Sequence, residues 1–193
     1  MTHEHARALF HFKTKRLLLT GHSLDNAALL NQWVNDPELA YATDDSPPDQ
    51  PETLAETKEY LETIQANNRL DGNRIDYAIR LGADNRCIGF GQIVRIDRYN
   101  KHCLLSIIIG DTSQRQKGYA AEALRQVIAV CFGPLGLHRV GAEIFSFNTP
   151  SIRLFESLGF VREGVKRESV WKKGRFADEC SYSLLRPEWR HRQ

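Results

Sequence analysis

Several things are scarce in this sequence, and each scarcity excludes a class of chemistry. Four cysteines are present, Cys87, Cys103, Cys131 and Cys180, and none stands in a CxxC or at His/Cys ligand spacing. They read as reduced thiols of a cytoplasmic protein, and neither a disulfide framework nor a metal site is expected. No apolar run approaches the roughly 20 residues that a membrane span requires. The start, MTHEHARALFHF, is polar and lacks the apolar centre of a signal peptide. Charge of one sign is scarce too: 26 Lys and Arg stand against 24 Asp and Glu, a net of +2, with the signs interspersed. So small a balance gives a nucleic acid no electrostatic footprint, and neither nucleic acid nor membrane is expected as a partner. Repeats and low-complexity tracts are absent.

What is present is an ordinary globular composition over 193 residues, 41% hydrophobic and 26% charged, enough for one domain with a full core. Residues 1–14 read as an N-terminal extension and 15–193 as a single domain. KRLLLTG (15–21) has the pattern of a strand. Ser23 is placed to cap a helix running to about Asn35, with Leu24, Ala27, Ala28, Leu30 and Val34 on its inner face and Trp33 joining or closing over it. TDDSPPDQP (43–51) is a rigid acidic loop, because its prolines forbid helix. Thr53 and Glu56 have capping-box spacing for a second helix ending near Asn67.

The middle reads as a meander. IDYAIRL (75–81), CIGFGQIVRI (87–96) and CLLSIII (103–109) are rich in β-branched residues and separated by turn-forming LGADN and DRYNK. Apolar residues at Ala120, Leu124, Val127, Ile128 and Cys131 give 115–135 a helical period. HRVGAEIF (138–145) is a further strand. NTPSIRLFESLGF (148–160) is a marked helix, with Asn148 or Thr149 as its cap, Pro150 in its first turn and Gly159 at its end. Strands around 161–171 and 180–185 close the chain, joined by KKGRF. The order predicts an α/β (α+β) fold with a mixed sheet.

RQKGYA (115–120) is the stretch that asks for a ligand. The first amides of a helix have no internal acceptors and lie at the positive end of its dipole. A glycine there lets an anion approach the backbone, so a phosphate is the natural partner. A tight loop before an ordinary helix is the plainer alternative.

The strand ending at Ile109-Gly110, then RQKGYA opening a helix, then NTPSIRLFESLGF after another strand, resembles the GNAT N-acetyltransferases. Their acyl-CoA motif, [Arg/Gln]-x-x-Gly-x-[Gly/Ala], is met by Arg115, Gly118 and Ala120. The later helix motif is met by Asn148, Ser151, Ile152, Leu158, Gly159 and Phe160. The ending GRFADECSYSLLRPEW is similar to the RimJ/RimL branch, which acetylates protein N-termini, and to the spermidine N-acetyltransferases of that branch. The resemblance spans Lys15 to Trp189. It implies a mostly antiparallel sheet flanked by about four helices, with acetyl-CoA as cosubstrate and no metal.

It also implies a set of site residues. The pyrophosphate would sit on the backbone of Arg115, Gln116, Lys117, Gly118, Tyr119 and Ala120, with Gln116 where relatives often carry another Gly. Ile108, Ile109 and Gly110 would hold the pantetheine arm and the thioester carbonyl, and Asn148 would add a contact. Phe155 stands where many relatives have the Tyr that protonates the thiolate, and Ser151 is the candidate to replace it. Leu105 stands where relatives often carry a Glu base. Asp44, Asp45 and Glu143 are candidates for binding the amine, and the acidic loop Asp44, Asp45, Asp49 and Glu52 could hold a polycation or be a solvated loop. An α-amine with a pKa near 8 is about one-tenth neutral at pH 7, whereas a lysine-like amine near 10.4 is neutral about once in 2,500 molecules. A site without an evident base therefore suits a protein or peptide N-terminus, with a polyamine or other small amine second. A CoA-binding module without catalysis stays open as a different class, and so does a homodimer.

Overall fold

The computed structural model describes residues 11–43, 51–67 and 72–190. Eight strands form a single sheet: β1 (His11–Lys13), β2 (Leu17–Thr20), β3 (Ile75–Leu81), β4 (Cys87–Asp97), β5 (His102–Ile109), β6 (Arg139–Phe145), β7 (Val161–Lys172) and β8 (Arg175–Leu185). Their order across the sheet is β1-β2-β3-β4-β5-β6-β8-β7. All neighbours are antiparallel except β5 and β6. The α-helices are α1 (Ala27–Val34), α2 (Pro37–Thr43), α3 (Leu54–Asn67), α4 (Tyr119–Phe132), α5 (Thr149–Ser157) and α6 (Arg186–Arg190). The mixed sheet and the meander are therefore as the sequence predicts. Among the described residues no helix is long and apolar enough to cross a membrane.

The strands alternate, so each contributes to two cores. One face packs Tyr77, Ile79, Leu105 and Val140 against Leu124, Val127 and Ile128 of α4 and against Phe155 of α5. The other packs Ala78, Cys87 and Phe90 beneath Leu30, Trp33, Leu39 and Leu61 of α1, α2 and α3.

Local details correct the sequence expectations. Ser23 does cap, but it caps a 3-10 turn at Leu24–Asn26 by accepting from the Asp25 amide. That turn rotates the following helix, so Leu24 and Ala28 face solvent while Trp33 joins the buried side. Helix α2 falls where no helix was expected. Asp36 caps it by accepting from the amides of Glu38 and Leu39 at 2.8 and 3.2 Å, and Pro37 fits its first turn. The short α6 was likewise not expected, and β8 begins five residues before the predicted 180. A two-residue turn, Lys173-Gly174, joins β7 to β8, with both residues at positive φ, 49° and 75°. The capping box of α3 is formed as predicted: Glu56 accepts from the Thr53 amide at 2.7 Å, and Thr53 Oγ1 accepts from the Glu56 amide at 3.2 Å.

Candidate active site

The site begins where β5 and β6 part. Only His102, Cys103 and Leu104 pair with Arg139, Val140 and Gly141. Beyond them β5 stays bonded to β4 as far as Ile109, and β6 stays bonded to β8 as far as Phe145. Each strand is thus held on its outer side while the two diverge, and the inner edge of β5 past Leu104 has no strand partner. The gap is a cavity of about 200 Å³ whose lining includes Leu105, Ser106, Ile107, Asn148, Ser151 and Phe155.

At the mouth of the gap, β5 runs through Gly110 into the loop before α4. The Arg115 side chain folds back and its Nε–H donates to the Ile109 carbonyl at 3.0 Å. Arg115 is thus tied to the strand end, and its Nη2 is buried with no hydrogen-bond partner among the described residues. Gln116 has φ of 61° and Gly118 has φ of 79°, so the chain reverses its curvature twice within three residues. A glycine tolerates this and a glutamine pays a small strain for it. Among the described residues, the amides of residues 116–120 have no acceptor in the protein, and Gly118 caps α4 without a side chain. Successive outward amides, a helix N-terminus and an orphaned guanidinium nitrogen form a donor set that fits a pyrophosphate.

Asn148, Ser151 and Phe155 come together on α5 at the other wall of the gap. Asn148 Oδ1 accepts from the Ser151 amide at 3.2 Å, and its Nδ2 donates to the Ala42 carbonyl of α2 at 3.2 Å. Phe155 is buried edge-on against Phe160 at 5.0 Å and lines the gap. Glu143 lines it too, paired with Lys166 at 2.5 Å and with Arg95 at 3.7 Å. Asp44 and Asp45 lie outside the described residues.

A second cavity, about 450 Å³, opens on the sheet face covered by α1, α2 and α3. Leu30, Trp33, Ile64, Phe90 and Ile108 give it apolar walls; His22, Glu52, Tyr60, Gln92 and Ser106 give it polar points. Ser106 and Thr43 line both cavities, so the two spaces meet there. Behind the wall, Asp76 is gripped by the Arg74 fork at 2.8 Å on each oxygen, a bidentate ion pair. Arg74 also donates to the Tyr60 hydroxyl. His22 packs against Phe90 with ring centroids 6.0 Å apart. Burial pushes its pKa below the usual imidazole value; Asp76 opposes that push, and Arg74 and Arg80 reinforce it.

Sequence reasoning singled out Glu52 with the acidic loop before it, but did not find His22, Trp33, Tyr60, Gln92 or Ser106 as site residues. For Gln92 and Ser106 the signal lay in the register: they are direct partners in the β4–β5 ladder, and Asp76 pairs with Gln92 from β3. Polar side chains in one row across a strand face that otherwise carries Ala78, Phe90 and Ile108 mark a lined space rather than a packed core.

With this geometry in hand, the comparisons with known proteins are informative. The acetyltransferase (GNAT) domain family matches residues 16–161. An N-acetyltransferase of Bacillus licheniformis, p20, is 31% identical over 178 residues, covering 91% of this chain and 96% of its own. The spermidine N-acetyltransferase of Vibrio cholerae, solved with CoA and spermine, superposes with a TM-score of 0.80 at 20% identity, over 91% of this chain and 99% of that one. RimL, a ribosomal-protein alpha-N-acetyltransferase solved with coenzyme A, superposes with a TM-score of 0.79 at 18% identity, over 91% and 97%.

Proposed function

Because the chain belongs to the GNAT acetyltransferases and is an acetyl-CoA-dependent N-acetyltransferase, we propose that its acceptor is the α-amine of a protein or peptide N-terminus, in the manner of the RimJ/RimL branch. One observation carries this: the cavity that meets the β5–β6 gap at Ser106 and Thr43 is walled by Trp33, Phe90, Leu30 and Ile64 and, among the described residues lining it, Glu52 is the one carboxylate. An amine bearing one cation and an apolar body fits such a wall. A polyamine would want several carboxylates, and Asp76, on the same sheet face among the described residues, is paired with Arg74. The neighbouring folds include a spermidine enzyme and a ribosomal-protein enzyme, so the lining, not the fold, supports the choice. We also take residues 15–193 as one acetyltransferase domain, with His11–Lys13 adding a strand to its sheet.

Bound acetyl-CoA would supply an activated acetyl carbon and a thiolate leaving group. The residues of this chain divide the remaining work. The amides of 116–120 hold the phosphates. The free edge of β5 at Ile108, Ile109 and Gly110 holds the pantetheine arm and donates to the thioester carbonyl. A donor so placed is worth about 10²–10³ in rate. His22, kept neutral by burial, takes the proton that the acceptor ammonium must lose. Ser151 passes its proton to the departing sulfur from the α5 wall and is reprotonated by the second proton that the acylated nitrogen sheds. Asn148 holds that wall against α2.

The test is CoA release at pH 7 with a set of short peptides bearing free N-termini, the same peptides N-formylated, and spermidine. The expected outcome is a kcat/KM for the best free peptide at least about tenfold above that for spermidine, with no turnover of the formylated set. Preference for spermidine would move the assignment to the polyamine acetyltransferases. Tight acetyl-CoA binding with no release on any amine would make the chain a sensor.

A further inference from the structure

We infer that Arg16 and Glu122 form the charge balance of the phosphate-receiving loop, with Arg16 the positioning residue that keeps that loop in its receiving shape. This rests on the acetyl-CoA reading above. Arg16 lies just before β2, more than a hundred residues from the loop in sequence, yet its side chain reaches three of the loop's residues. Nη1 donates to the Lys117 carbonyl at 2.9 Å. The guanidinium stands 4.5 Å over the Tyr119 ring. A Cβ built on Gly118 would come within 3.4 Å of Nη2. The Lys117 carbonyl is the dipole between the two positive-φ residues, Gln116 and Gly118. With Arg16 holding it to one side, the intervening amides are directed to the other.

Glu122 explains why the holder must be a cation. It occupies the first turn of α4, where a carboxylate stabilises the helix but repels the anion that the same helix end receives. Its two oxygens are fully engaged: Oε1 accepts from the Arg16 amide at 2.8 Å and from the Thr14 hydroxyl at 2.5 Å, and Oε2 accepts from Arg16 Nε at 2.7 Å. Burial alone would raise its pKa, yet these bonds outweigh it and hold the carboxyl ionised below its usual range. At neutral pH Glu122 is therefore a fixed negative charge one turn from the phosphate site, and Arg16 cancels it. Among the described residues no hydrogen bond engages Arg16 Nη2, which faces Gly118 and leaves one donor for the ligand side.

The experiment compares wild type, Arg16→Gln, Glu122→Gln and the double variant, each titrated with acetyl-CoA by calorimetry and with acetyl-pantetheine, which carries no pyrophosphate, by ligand-observed NMR. Arg16→Gln is expected to weaken acetyl-CoA binding about tenfold or more at low salt, the scale of one uncompensated charge contact, and to leave acetyl-pantetheine within about threefold. Glu122→Gln should bind acetyl-CoA at least as well as wild type. The double variant, which has no ion pair left to break, should return to within about threefold of wild type, and it keeps the test open if Arg16→Gln alone unfolds. Equal acetyl-CoA affinity in all four proteins overturns the inference. Equal losses for both ligands in Arg16→Gln, without recovery in the double variant, also overturn it and leave Arg16 a fold-stabilising residue. Wild type that binds neither ligand overturns the acetyl-CoA reading itself.

Discussion

His22 shows how much a single residue can decide. His22 lines the larger cavity together with Glu52 and Tyr60, its ring packs on Phe90, and the charges of Asp76 and Arg74 act on it. Burial lowers its pKa from 6.5, and the two arginines lower it further against the pull of Asp76. The sign follows from linkage. The unfolded chain binds the proton more tightly than the fold does. The neutral imidazole therefore costs nothing above the unfolded value, and stability is lost as pH falls through 6.5 toward the lower folded value. His22→Gln should accordingly flatten the fall in Tm between neutral and mildly acid pH. If His22 is the base, the same change should lower kcat/KM by about 10²-fold and abolish an acid limb lying below the usual imidazole range. On the α-amine proposal, a limb near pH 8 set by the acceptor should persist in both proteins. Superimposable pH profiles would take His22 out of the chemistry. Leu105 fits this division: it is buried in the α4-side core, and an aliphatic side chain supplies no base there.

At the level of elements, the end of β5 is coupled to α1 through one missing methyl group. A Cβ on Gly110 would fall 2.1 Å from Trp33 Cδ2 and 2.3 Å from Cε2. The glycine is thus required by the indole that floors the acceptor cavity, as well as by any backbone contact to the pantetheine. Gly110→Ala should cost about 1–3 kcal/mol through overpacking. Because Trp33 must give way, the acceptor KM should rise more than the acetyl-CoA KM. Steady-state kinetics with both substrates varied, beside a melting curve, would show it, and a rise confined to acetyl-CoA would contradict it. Elements whose signals are local were legible in the sequence. The capping residues of α3 and α5 and the β-branched runs and turn residues of β3, β4 and β5 each sit within a few residues of what they specify. Helix α2 was missed because its seven residues are too short to display a helical period, although Asp36-Pro37 is a start signal. The partnership of Arg16 with Glu122 was not legible at all, since only the folded topology brings β2 beside the first turn of α4.

For the whole molecule, the decisive fact is that two spaces meet inside one sheet. The parting of β5 from β6 could not be read from either strand, because it is fixed by their outer partners, β4 and β8. The motifs at 115–120 and 148–160 were legible as chemistry because each concentrates its residues at a helix mouth, whereas the acceptor cavity draws its lining from separate elements. That arrangement makes a kinetic prediction. The gap holding Ser151 and the cavity holding His22 share Ser106 and Thr43, and two spaces that meet would let acetyl donor and amine be present together. An enzyme that first took the acetyl group onto itself would need an accessible nucleophile of its own. All four thiols are buried, in β4, β5, α4 and β8, and burial raises the pKa of Cys87 and Cys131 away from the thiolate. Initial rates with both substrates varied should therefore give intersecting double-reciprocal lines. Protein mixed with acetyl-CoA alone should show no added acetyl mass. Parallel lines together with an acetylated side chain that turns over on adding amine would replace direct transfer by a two-step route.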